Sequence, residues 1–273
     1  MKGFARKGDD IQVMLCPICK SAVAKKNMEL MQCRTCDHMF VENLYDDKYW
    51  QDLYENKYTK SDRKFDAQRN AMYVQEIHWI NKYKELAGSF LDVGCSYGNF
   101  LMFLPSEMRK VGIEVSGNVI KEAMRLHPNY EFHNVELCKY EPKDKFDFIQ
   151  FRGVLQHTTD PVSNLKCAIK LLEKNGIIIV TSLPDFSSIT SKFYKEKFRF
   201  YVPQLAPNYF TKKSFAYMLK SLGLKIKIKH SPYFKTPYSN FPKDLANFLI
   251  NKYTNKPNPP FYGNLKNYII ERE

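Results

Sequence analysis

Phe90-Leu91-Asp92-Val93-Gly94-Cys95-Ser96-Tyr97-Gly98-Asn99-Phe100-Leu101 runs from a short apolar strand through a glycine turn into a helix start. Gly94 and Gly98 let the backbone approach a ligand closely at the carboxyl end of that strand. Glu114 follows twenty residues after Gly94, at the end of a second strand predicted over 111–115. A carboxylate there is placed to accept hydrogen bonds from both ribose hydroxyls of an adenosine.

Outward from this turn the rhythm is strand and helix in alternation. A helical stretch is predicted over 99–108, interrupted by Pro105, then a helix over 118–126. Strands follow over 130–133 and 146–151. A helix over 161–173 carries Leu165, Ala168, Ile169 and Leu172 on one face, and a strongly apolar strand runs over 176–181. Such alternation implies a doubly wound, Rossmann-like α/β fold with a parallel sheet covered on both faces. Upstream, a helical pattern over 62–86 ends at Gly88. Before it, Tyr45, Tyr49, Trp50, Tyr54 and Tyr58 mark an aromatic segment expected to pack against the next domain.

Two other readings of the glycine turn fit less well. A dinucleotide site wants Gly-x-Gly-x-x-Gly, and Ser96 and Asn99 occupy the second and third glycine positions. A hydrolase elbow, Gly-x-Ser-x-Gly, matches literally, but Glu114 would then have no role and no oxyanion segment stands upstream.

Seven cysteines are present. Cys16, Cys19, Cys33 and Cys36 form two Cys-x-x-Cys knuckles with thirteen residues between them. Two such knuckles on a hairpin can surround one tetrahedral ion, and four filled ligand positions make it structural. Zinc is the expected metal and rubredoxin-like iron the chemical alternative. Cys95, Cys138 and Cys167 are expected to be buried or inert, with disulfides disfavoured in a cytosolic setting.

The 273 residues carry 42 Lys+Arg against 29 Asp+Glu, a net charge of +13. Residues 1–189 hold 26 Lys+Arg and 25 Asp+Glu, so nearly all the excess lies in the last third, where 16 basic residues face 4 acidic ones. Lys225, Lys227 and Lys229 alternate with Ile226 and Ile228, which reads as an edge strand with one solvated face. No stretch approaches the roughly 20 apolar residues of a membrane helix. Met1 to Gln12 lacks the apolar core of a signal peptide, so a cytoplasmic protein without membrane insertion is expected.

Residues 70–230 resemble class I S-adenosylmethionine-dependent methyltransferases. The resemblance rests on the glycine motif with Asp92, on Gly112-Ile113-Glu114-Val115-Ser116, on Phe146-Asp147-Phe148-Ile149 leading to Gly153-Val154-Leu155-Gln156-His157, and on the fifth strand ending in Leu183-Pro184. The ribbon and the aromatic segment resemble a subgroup that starts with a four-cysteine zinc ribbon. Ser96 stands where a central glycine is common, and Gln156 where many relatives carry Glu. The resemblance implies a seven-stranded sheet, with 266–272 as an antiparallel strand beside 225–230. It divides the chain into a zinc ribbon (1–45), a helical linker and lid (46–88) and a cofactor-binding domain (89–273) with acceptor-site insertions at 185–210 and 231–264.

It also implies S-adenosylmethionine as cofactor, with Asp92, Gly94, Cys95 and Gly98 along its methionine and ribose part. Glu114 would then hold the ribose, Val115, Asn134 and Val135 would meet the adenine, and Arg152 and Gly153 would border the methionine end. His157 is the candidate base for a hydroxyl acceptor, because its pKa is near neutral; the alternative is a helix-entry residue bonded to backbone. Tyr209 is a second candidate, with packing as its other role.

Cations and aromatics alternate over 192–201, including Lys195, Lys197 and Arg199. They suit an anionic small molecule such as a nucleotide- or phosphate-linked sugar. RNA methylation with the ribbon as a docking module is the alternative, and a non-catalytic binding module the second. A homodimer is compatible with the sequence.

Overall fold

A computed structural model describes residues 14–22, 24–27, 30–42, 49, 52, 53, 55 and 66–273. The expected roles of Tyr45, Trp50, Tyr54 and Tyr58 lie outside the described residues. A seven-stranded sheet dominates. Its first strands are β4 (Ser89–Val93), β5 (Arg109–Glu114), β6 (Glu131–Asn134), β7 (Phe146–Arg152) and β8 (Leu172–Pro184), followed by β10 (Leu224–His230) and β11 (Leu265–Arg272). The order is β10-β11-β8-β7-β4-β5-β6. β11 is antiparallel to both its neighbours, and the pairs from β8 to β6 are parallel.

The helices of this layer are α1 (Asp66–Tyr83), α2 (Gly117–Leu126), α3 (Pro161–Leu171) and α5 (Lys212–Ser221), with a short α4 (Ile189–Tyr194) and α6 (Phe241–Asn251) in the insertions. Their starts are written locally. Ser116, Asp160 and Thr211 accept bonds from the backbone of Val119, Ser163 and Ser214, and Thr211 with Ser214 closes a reciprocal capping box. Central strands bury apolar residues on both faces, as a helix-covered parallel sheet requires; Leu91, Phe148, Ile149, Ile178 and Ile179 have no exposed surface. β10 is one of the two edge strands, with Lys225, Lys227 and Lys229 exposed as its alternation predicts.

The helix predicted over 99–108 is only a 3₁₀ turn, Asn99–Phe103. Leu104 is extended because Pro105 after it disfavours helical backbone.

The ribbon adds β1 (Ala24–Asn27), β2 (Leu30–Cys33) and β3 (Met39–Val41), an antiparallel ladder. β3 then pairs with β9 (Asn208–Tyr209), a strand donated by the large domain. Leu30 and Met39 share a core with Phe186, Phe198 and Tyr209.

The expectation of inert remaining cysteines fails for two of the three. Cys138 and Cys167 form a disulfide, their Cα atoms 5.3 Å apart across 29 residues of chain. A turn over 137–139 packs against α3 and brings them together, a contact that no local spacing announces. Cys95 is buried with a free thiol.

Candidate functional site

Strand register gathers the predicted residues at the carboxyl ends of the sheet. Asp92 lies opposite Gly112 and Gln150, Glu114 opposite Asn134, and Arg152 opposite Thr181. The glycine turn folds over β5. Gly94 and Cys95 donate backbone bonds to the Ile113 carbonyl at 2.8 and 3.1 Å, and Gly98 donates to Cys95. Gly94 and Gly98 adopt left-handed φ values of 68° and 74°. Ser96, at 50°, does so with a side chain and its strain. That conformation lets the Ser96 N–H donate to Glu114 Oε2 at 3.1 Å, while Glu114 Oε1 takes the N–H groups of Val115 and Ser116. Glu114 thus ties the turn to the end of β5, and desolvation raises its pKa against those bonds. An ionised carboxyl offers about four lone-pair sites, so acceptor capacity for ribose hydroxyls is left.

Asp92 is buried, and its Oδ1 has no hydrogen-bond partner among the described residues. Burial pushes its pKa up to about 8, against the pull of Arg152 and with the help of Glu114 and Glu76. Arg152 is held by Glu76 of α1 at 2.9 Å and lies 4.6 Å over the Tyr73 ring. Glu76 also accepts from the Thr181 hydroxyl. The Arg152 guanidinium thus feels Glu76 and Asp92, and Asp92 in turn feels Glu114, so three carboxyls to one guanidinium leave an acidic excess suited to a cationic ligand. The sequence reading missed Glu76. It carries no local signal, because the helix over 66–83 shows little amphipathic contrast and the burial of Glu76 appears only in the fold.

The other predicted cofactor residues are less uniform. Gly153 follows Arg152 with a φ of 65° and donates to the Thr181 carbonyl. Asn134 turns its amide to the Glu114 and Val115 carbonyls, so it shapes this edge through β5. Val115 is exposed beside it, and Val135 packs against the core. Cys95 is buried. Its side chain points inward, against the space beside Gly112, so only its backbone faces the turn. Glu55, from the aromatic segment, accepts from the Gly117 N–H at 2.7 Å and from Ser116 and Asn118 at the start of α2.

His157 sits on the loop after β7, where its Nδ1 donates to the Leu205 carbonyl at 2.7 Å. That bond fixes the proton on Nδ1 and the basic lone pair on Nε2. Desolvation lowers the His157 pKa, which keeps the ring neutral. Asn208 holds the same loop. Its N–H donates to the Gln156 carbonyl and its side-chain amide to Thr158. Asn208 Oδ1 accepts from His38 Nε2 of the ribbon at 2.9 Å. Tyr209 is fully buried and edge-on to Phe186.

The four ribbon cysteines offer sulfur atoms that all lie within 4.8 Å of one another. The two knuckles are built alike. Lys20 and Asp37 donate to the carbonyls of Cys16 and Cys33, four residues back, and both adopt left-handed φ. Cys16 and Cys33 donate in turn to Ser21 and His38. Bond lengths of about 2.3 Å to a central ion need sulfur atoms about 3.8 Å apart, and these fit. Zinc bound there would hold the two knuckles together.

The insertion over 231–264 folds back over this end of the sheet, with Gln75 of α1 donating to the Lys235 carbonyl. Tyr238 on it lies in the fields of Arg69, Arg152 and Arg199, which oppose the rise that burial imposes on its pKa. Of the cations singled out over 192–201, Lys197 is committed elsewhere, donating to the Thr254 carbonyl at 2.7 Å. Arg69 was missed, because a lone arginine on a helix carries no local signal.

A family model described as "Methyltransferase domain" matches residues 65–227. A tRNA U34 carboxymethyltransferase from Sulfurimonas denitrificans is 35% identical over 33% of this chain and 32% of its own length. A ubiquinone biosynthesis O-methyltransferase from Albidiferax ferrireducens is 28% identical over 39% of this chain and 46% of its own. The chain thus spans between a third and a half of these curated relatives. Among solved structures, a SAM-dependent methyltransferase from Thermotoga maritima, described as a possible histamine N-methyltransferase, superposes with a TM-score of 0.57. It has 20% identity and covers 82% of this chain and 99% of its own.

Proposed function

Because the chain belongs to the methyltransferase-domain family, we propose that it transfers a methyl group from S-adenosylmethionine to a small anionic acceptor. The observation that carries the first half is the partnerless, buried Asp92 Oδ1 beside the left-handed glycine turn. The cofactor supplies a methyl group on a cationic sulfur, activated for in-line displacement. Asp92 accepts from its ammonium group, and the acidic surround of Glu76 and Glu114 favours its positive charge. Glu114 holds the ribose, and Val115, Asn134 and Val135 border the adenine. Gly94, Gly98, Gly153 and the Cys95 backbone leave room for close approach.

Holding donor and acceptor at near-attack distance and excluding water is the main task of such a site. The insertion carrying Tyr238 closes over the strand ends and serves the second requirement. For a hydroxyl acceptor, His157 Nε2 would take the hydroxyl proton. The anionic preference rests on the charge of residues 190–273, 16 Lys+Arg against 4 Asp+Glu, and a phosphate- or nucleotide-linked sugar satisfies it. The ribbon, with zinc on Cys16, Cys19, Cys33 and Cys36, supports the His157 loop through Asn208.

Calorimetry with S-adenosylmethionine tests the reading directly. Saturable binding is expected, and absence of heat at about millimolar ligand would exclude it. RNA methylation is the second reading, favoured by the tRNA-modifying relative. It predicts RNA affinity that falls steeply with salt.

A further inference from the structure

We propose that the outward face of α6 docks on an anionic lipid bilayer. This inference does not depend on the methyl-transfer reading. The helix is anchored by its inner side. Asp244 is buried and accepts from the Tyr233 hydroxyl at 2.7 Å and the Asn240 N–H at 2.8 Å. Phe248 stacks on Phe193 and Phe261, with centroids 5.2 and 4.7 Å apart, and its carbonyl takes the Tyr194 hydroxyl.

The flank beside this anchored side is apolar and open. Phe241, Leu245 and Leu249 recur at four-residue steps and are 46%, 42% and 58% exposed, with Ile250 at 58% beside them. The patch continues off the helix. Phe234 lies 5.9 Å from Phe241 and 5.7 Å from Tyr262, and both Phe234 and Tyr262 are more than half exposed. Scattered exposed apolar residues need no explanation, but a contiguous stripe on a well-anchored helix does.

Charge selects the occupant. Residues 231–264 carry four lysines and a single acid, Asp244, which is buried and already bonded. Lys235, Lys243 and Lys256 are exposed on the same segment. A second copy of the chain would set one lysine rim against another. A bilayer with anionic headgroups takes both features, the apolar stripe below the headgroups and the lysines among them. No described helix is long and apolar enough to cross a membrane, so the contact is one of lying on the surface.

The test is sedimentation of the full chain with phosphatidylcholine vesicles, either pure or containing about a quarter phosphatidylglycerol. The protein is expected to pellet with the anionic vesicles and to stay in solution with the neutral ones. The pair Leu249→Glu and Ile250→Glu should weaken pelleting by about tenfold or more, and the pair Lys243→Glu and Lys256→Glu should weaken it and flatten its dependence on salt. All four side chains are at the surface, so circular dichroism melts should match the parent protein. Equal partition onto both vesicles, or onto neither, overturns the proposal. So does light scattering that finds a dimer which Leu249→Glu and Ile250→Glu dissociate, because the stripe would then be covered by a second copy.

Discussion

The His38 imidazole donates from Nε2 to the Asn208 side chain at 2.9 Å, across 170 residues of chain. Asn208 passes that contact on to the backbone on both sides of His157. Asn208→Ala should therefore lower kcat while leaving cofactor affinity near the parent value. Unsatisfied buried partners of this kind cost about 1–3 kcal/mol, readable by urea unfolding. An equal loss of cofactor affinity in calorimetry would refute the separation.

Removal of the ribbon metal should act through the same link. Chelation is expected to release one equivalent of zinc, measured with a colorimetric zinc indicator, and to reduce turnover. Binding of S-adenosylmethionine should persist, since among the described residues no hydrogen bond or ion pair joins Asp92 or Glu114 to the ribbon. A chelated protein with full turnover would show that the His157 loop does not need it.

Asp92 sets a pH dependence. Its folded pKa, near 8, lies above the unfolded value, so the unliganded protein is most stable at low pH with respect to this group. That contribution is lost as pH rises toward 8. A cationic ligand favours the ionised carboxyl, so S-adenosylmethionine should release a proton on binding and bind more tightly as pH rises to about 8. Calorimetry in buffers of different ionisation enthalpy measures the proton count. Asp92→Asn should weaken binding and abolish the release.

His157 titrates in the other sense. Burial lowers its pKa, so the neutral base is already formed at its ordinary pKa and kcat/KM should decline only at more acidic pH. The same shift means that stability from this group is present above the unfolded value of about 6.5 and is lost as pH falls below it through the lower folded value. For a hydroxyl acceptor, His157→Gln should reduce kcat by about 10²–10⁴ and remove that acid limb. An unchanged rate would assign the acceptor nucleophile to an amine.

Gly112 sits opposite Asp92, and a Cβ there would come within 2.7 Å of both Cys95 Sγ and the Phe132 ring. Gly112→Ala should destabilise the protein by about 1–3 kcal/mol through overpacking, seen as a lower urea midpoint. Gly263→Ala, where a Cβ meets nothing within 4 Å, reports separately on left-handed backbone at a φ of 87°.

Much of this was legible because its signals are local. The glycine turn, the strand end at Glu114, the strand alternation and the paired Cys-x-x-Cys knuckles each depend on neighbours a few residues apart, and the structure forms these elements where the sequence places them. What escaped depends on long-range contact. Glu76 gains its meaning from Arg152, Tyr238 from three arginines on different elements, and Cys138 from Cys167 across a packed turn. The helix predicted over 99–108 failed because the extended backbone before Pro105 outweighed an apolar periodicity.

The ribbon takes its fourth strand from β9 and part of its core from Phe186, Phe198 and Tyr209. Its boundary in the sequence is therefore not a boundary between independently exchangeable parts. A chimaera that replaces only the first forty-odd residues would meet a foreign β9 and an unmatched wall of aromatics. Grafting this ribbon onto another scaffold requires moving the 205–211 segment with it, and the two stretches are expected to change together when such proteins diverge.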